Sequence, residues 1–164
     1  MAAGNTYVAI ASTPLTSAGT VTFSSIPQTY TDLVVILAIA GVNTGGQDCG
    51  MQFNNDTNNN YNFTLIQGNG STPQSYRNQS NRAIIIGGYL GVPNGISIAI
   101  ANVMNYANTT TYKTTIARGN GDNEITSTVS LWRNTAPINQ IKVMLNGYTF
   151  STGTVVSLYG IAAA

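Results

Sequence analysis

The sequence contains no histidine, one cysteine, one tryptophan and only 7% charged residues over 164 positions. Without histidine, a Ser-His-Asp triad, a Cys-His nucleophile and a histidine-bearing zinc site are excluded. The lone Cys49 excludes a cysteine zinc site and an internal disulfide, and reads as a small side chain within a sheet. Arg77, Arg82, Lys113, Arg118, Arg133 and Lys142 are scattered, with a net charge of +1. That argues against nucleic acid as a partner, because phosphate binding needs a basic stripe. No apolar run approaches the roughly 20 residues of a membrane span. The start, MAAGNTYVAI, has neither the basic segment nor the apolar segment of a secretion signal, which points to synthesis in the cytoplasm.

The enzymatic route left open is hydrolysis by paired carboxylates. Asp122 and Glu124 share a face if GNGDNE is extended, but a glycosidase holds its carboxyls about 5 to 10 Å apart in a cleft, and no cleft is visible in the sequence. The expectation is a solvated turn and no enzyme. Calcium could use Asp48, Asp56 or Asp122 with asparagine carbonyls, yet NNDTNNNYN lacks the carboxylate density and spacing of an EF-hand. Turn chemistry is the simpler reading there, with no metal and no cofactor. The sequons at Asn55, Asn62, Asn69, Asn78 and Asn108 are chance matches in a chain rich in Asn and Thr.

What the chain does hold is short runs of alternating apolar residues between Gly, Asn and Pro turns. Leu33 to Ala40 is apolar throughout, so an extended chain would show Leu33, Val35, Leu37 and Ile39 on one face and Val34, Ile36, Ala38 and Ala40 on the other. Such a strand needs cover on both faces. Further strands are expected at Tyr7 to Ser12, Thr20 to Ile26, Cys49 to Phe53, Tyr61 to Gln67, Arg82 to Leu90, Ile96 to Met104, Tyr112 to Arg118, Ile125 to Arg133, Ile141 to Leu145 and Val155 to Ile161. In the Ile125 to Arg133 strand, Val129 and Leu131 are expected to face inward. NNDTNNNYN reads as a hairpin connection, and Gly68 to Asn81 as a long polar loop. The pattern predicts an all-β chain of about ten strands with no significant helix, folded as a single jelly-roll-like antiparallel sandwich of two sheets. Residues 1–5 and 162–164 read as tails.

Several stretches also resemble landmarks of a known family: TYVAIAST, VTFSSIPQTYTDL, FNNDT followed by NNNYN, NYANTTTYKT, SLWRNTAPINQI and SLYGI. They are similar to small virion proteins encoded by tailed bacteriophages, and they run from Thr6 to Ile161. The resemblance implies a structural component of head or tail and brings no catalytic residues with it. The expectation is a non-enzymatic protein on the capsid surface that decorates and cements the shell as a homotrimer, bound to the major capsid protein of the same phage. The alternative is a tail or tail-fibre component that adheres to the host by binding glycan. Interface candidates are Val34, Ile36, Trp132 and Arg133, the last two being residue types enriched at binding hot spots. Candidates for stacking on a sugar are Tyr61, Tyr76 and Tyr89, with Trp132 open to that role or to the core.

Overall fold

A computed structural model describes residues 6–41, 47–90, 95–121 and 124–162. Residues 1–5 and 163–164, expected as tails, and Asp122, a candidate carboxylate, lie outside the described residues, as does the side chain of Tyr89. The strands are β1 (Tyr7–Pro14), β2 (Val21–Phe23), β3 (Asp32–Ala40), β4 (Gln47–Phe53), β5 (Tyr61–Gly68), β6 (Pro73–Asn81), β7 (Ile84–Leu90), β8 (Ile96–Met104), β9 (Lys113–Asn120), β10 (Ile125–Trp132), β11 (Ile141–Leu145) and β12 (Val155–Ile161). Among the described residues there is no helix.

The strands form an eight-stranded sheet, ordered β1-β12-β3-β8-β9-β10-β5-β6, and a four-stranded sheet, ordered β2-β11-β4-β7. Every pairing is antiparallel. Setting aside the hairpins β5–β6 and β9–β10, the chain passes between sheets at every step except β4 to β7, which is jelly-roll order: β1-β12-β3-β8 against β2-β11-β4-β7. The two hairpins are insertions that lengthen the larger sheet beyond β8. The fold class is therefore as expected, with twelve strands rather than about ten.

The core lies between the sheets. Leu33, Val35, Leu37 and Ile39 of β3 point into it and are fully buried, together with Met51 and Phe53 of β4, Ile141 and Val143 of β11, and Val156 and Leu158 of β12. On β8 the small side chains Ala99 and Ala101 face inward with Val103, so the sheets pack closely there. Gly160 has to be glycine, because a Cβ would lie 2.3 Å from the ring of Tyr30, which fills that space instead. The corner at Pro27 is pinned from both sides. Gln28 donates to the carbonyls of Ile26 (2.8 Å) and Ile138 (2.9 Å), and the Tyr106 hydroxyl donates to the Pro27 carbonyl.

Three local expectations are corrected. NNDTNNNYN is not a hairpin, since β4 belongs to the small sheet and β5 to the large one. Its turn chemistry is nonetheless that of asparagine, with Asn54 and Asn55 at positive φ of 52° and 56°. The stretch expected as a polar loop contains β6, whose pairing with β5 runs in regular register from Pro73 opposite Gly68 to Asn78 opposite Phe63. Finally, β10 is turned over relative to expectation. Thr126, Thr128, Ser130 and Trp132 face inward, whereas Val129 is 52% exposed and Leu131 is half-buried.

Candidate functional site: an apolar outer sheet face

The inversion of β10 follows from what lies opposite it. β7 ends the small sheet and has no strand on its far side. Backbone groups left without a strand partner must find other hydrogen bonds when buried. The Thr126 hydroxyl accepts from the Gly88 N–H at 3.3 Å, and the Ser130 hydroxyl donates to the Ile85 carbonyl at 3.4 Å. Hydroxyls inside force aliphatics outside, because alternate residues of a strand face opposite ways.

The outer face of the large sheet is accordingly apolar across several strands. Ile98 on β8 is 42% exposed, Ile116 on β9 42%, Val129 and Ile125 on β10 52% and 69%, and Ile66 on β5 59%. In the register Ile116 opposes Val129 and Ile36 opposes Ile100, whereas Ile66 opposes Ser127 and Ile125 lies between Asn120 and Gly68. Between β8 and the β5–β6 hairpin this face holds an open groove of about 820 Å³, lined by Ile66, Ile98, Ile100 and Ile125 around Arg118. Exposed aliphatics gathered on one sheet face, here interspersed with Arg118, Asn120 and Ser127, mark it as the candidate contact surface.

Of the expected interface residues, Ile36 lies on this outer face and is half-buried. Val34 is on the same side but only 3% exposed, flanked by Tyr159 of β12 and Asn102 of β8, so it is not available as a surface contact. Trp132 is a core residue at 1% exposure, packed edge-on to Phe53 and stacked with Tyr61. Arg133 is exposed and donates to the Asn59 carbonyl at 2.5 Å. Of the expected sugar contacts, Tyr61 is fully buried, and its hydroxyl accepts from the Phe53 N–H at 3.0 Å and donates to the Asp56 carbonyl at 3.0 Å. Neither Tyr61 nor Trp132 offers a ring face to a sugar. Tyr76 is 50% exposed on β6.

Those rings are held by a residue that the sequence reading assigned to turn chemistry alone. One Asp56 carboxylate oxygen accepts from the Trp132 indole at 2.8 Å and the Asn60 amide at 2.9 Å. The other accepts from the Asn58 backbone at 3.0 Å and its side chain at 2.9 Å. Burial works to raise the Asp56 pKa, but bonds from Asn60, Trp132 and Asn58 outweigh it and hold the carboxyl below its ordinary value. With its oxygens engaged in this way, Asp56 acts as the anchor of the 54–60 loop. The charge opposite in sign, Lys113, is buried beside Trp132 on the next strand. Burial lowers its pKa, and its ammonium donates to the carbonyls of Thr111 (2.8 Å) and Thr135 (3.1 Å).

Glu124 is neither a plain solvated carboxylate nor part of a described pair with Asp122. Its Oε1 is buried without a hydrogen-bond partner, its Oε2 accepts from Gln67 at 3.4 Å, and burial followed by the charge of Asp48 raises its pKa. A Cβ placed on Gly88 would lie 3.5 Å from both Glu124 Oε1 and Asp48 Oδ1, so the glycine leaves a small hollow beside two carboxylates. Among the described residues no group of three or more His, Cys, Asp or Glu is placed to hold a metal ion. Cys49 is fully buried in β4, and burial raises its pKa, which suppresses thiolate chemistry.

No protein-family model matches this chain, and no curated protein matches it.

Proposed function

We propose that the chain is a non-enzymatic structural protein of a tailed-phage virion, one that decorates and cements the capsid as a homotrimer. The outer face of the eight-stranded sheet is its assembly surface, covered in the virion by neighbouring copies and by the major capsid protein. One observation carries this reading: Ile66, Ile98, Ile116, Ile125 and Val129 all project from a single sheet face and remain exposed. The core is already filled without them, so their exposure is not required by the sandwich itself. The resemblance of the SLWRNTAPINQI and SLYGI stretches to small phage virion proteins supplies the virion context. A surface of neutral polar residues with few charges suits permanent contact, because it costs less to desolvate. Of the expected sugar contacts, the glycan alternative retains Tyr76 as an exposed ring, while Tyr61 is buried.

Cryo-electron microscopy of the source particle tests the reading. Density for this protein on the shell, at threefold or quasi-threefold positions, is the expected result. Density confined to the tail would overturn it.

A further inference from the structure

The two sheets have four outer edges, and three of them are closed by features of the strands themselves. The pairing of β1 with β12 is broken by a bulge between Ala9 and Ala11, and the strand ends at Pro14, which has no N–H to offer. β2 has only three residues. β7 is met by hydroxyls of Thr126 and Ser130. The fourth edge, β6, also begins at a proline and is irregular between Asn78 and Asn81, but it is nine residues long, exposed at eight of them, and unbroken in register from Pro73 to Asn78. Its one charged side chain is Arg77. Long edges of this kind are normally blocked by charge, proline or a bulge, because their free N–H and C=O groups template another strand.

We infer that β6 is a docking edge for β6 of a second copy of this chain, joined antiparallel across a two-fold axis. A second copy is the occupant that fits, because self-pairing consumes the one open edge of each protomer and the sheet then stops growing. A lone foreign strand would leave its own far edge open. Symmetry also fixes the register. A two-fold axis perpendicular to the sheet reverses strand direction without turning the sheet over, so facing residues lie on the same face and their numbers sum to an even value. Centring on Arg77 would oppose two like charges, which destabilises a cross-strand pair. Centring on Ser75 would set Pro73 opposite Arg77 and spend a paired position on a residue without an N–H. Centring on Asn78 runs into the irregular end of β6, where Ser80 has φ +70°. Centring on Tyr76 sets Tyr76 against Tyr76, Ser75 against Arg77 and Gln74 against Asn78, all within the regular segment. Aromatic pairs are favourable at facing positions.

Because the axis keeps each face on its own side, the apolar outer faces of the two copies become one continuous surface. The edge contact is separate from the face contact proposed above, and either can fail alone.

Cysteine cross-linking tests the register. Cys49 is fully buried and does not interfere. Under mild oxidation, Tyr76→Cys alone should give mostly covalent dimer. Gln74→Cys alone should give none above the wild-type background, since each would face residue 78 of its partner. A mixture of Gln74→Cys and Asn78→Cys chains should restore the cross-link. Hydrogen exchange adds an independent readout on the unmodified protein: β6 amides should become more protected as concentration rises, while β1 amides stay unchanged. Equal cross-linking at 74 and 76, or β6 exchange independent of concentration, would overturn the inference. So would protection that appears only on adding an unrelated extended peptide.

Discussion

β3 and β10 belong to the same sheet and differ in what they turn inward. β3 is apolar on both faces, with Leu33, Val35, Leu37 and Ile39 inside, while β10 turns Thr126, Thr128 and Ser130 inward and Ile125 and Val129 outward. The difference lies in what each strand faces. β3 looks onto the side chains of a covered sheet, where burial of hydrocarbon stabilises. β10 looks onto the edge of β7, where hydrogen bonds to backbone are worth more than another methyl group. The same strand chemistry thus produces a core at one place and a display surface at another.

Truncating one aliphatic on each strand gives the largest contrast. Leu37→Ala should lower the unfolding free energy by about 2 to 5 kcal/mol through lost burial and a residual cavity. Val129→Ala should change it by about 0.5 kcal/mol or less, as at other exposed sites. Urea denaturation of the two variants at low concentration measures both, and similar losses would erase the distinction between the strands.

Asp56 comes next. Asp56→Ala removes the acceptor for the Trp132 indole and for Asn58 and Asn60, and should cost about 1 to 3 kcal/mol. Because the folded carboxyl is held below its ordinary value, its contribution is present above the unfolded pKa and is lost as pH falls through the folded one. Acid titration below about pH 4 should therefore destabilise the wild type more steeply than Asp56→Asn. Equal acid sensitivity would remove Asp56 from its anchoring role.

A finer test sits within β10 itself. Thr126 bonds the Gly88 N–H, whereas the Thr128 hydroxyl is buried without a partner. Thr126→Val should destabilise by about 1 to 3 kcal/mol, because it orphans a buried donor, and Thr128→Val should be neutral or stabilising. Thermal unfolding that ranks them the other way would contradict the hydroxyl-edge account.

These contrasts also explain how far the sequence could be read. β4, β11 and β12 were legible because one face is buried against the other sheet and leaves a period-two trace, and β3 because it is an unbroken apolar run. β6 left none: PQSYRNQSN overhangs the sandwich, so neither face is buried and no apolar alternation exists to detect. β10 was found as a strand but assigned the wrong face, since alternation alone does not say which side holds the core. Tyr61 reads as a surface ring and Trp132 as open between surface and core, because the rings that pack together and the carboxylate that holds the Trp132 indole, Asp56, lie far apart in the chain, 76 residues in the case of Asp56 and Trp132. The apolar outer face was partly foreseen from Ile36 on β3. Its main residues, Ile66, Ile98, Ile116 and Ile125, emerged only once the strand order put their strands in one sheet and their exposure showed them on its outer face.

The central claim is that these outward aliphatics serve assembly rather than folding, and light scattering on the Ile66→Ser, Ile98→Ser, Ile125→Ser triple variant tests it most directly. The wild type should scatter as three subunits of 17.2 kDa or a multiple of three, and the variant should fall to a folded monomer or edge-paired dimer with its circular dichroism unchanged. A variant that keeps the wild-type mass, or a wild type that is already monomeric at micromolar concentration, would contradict it.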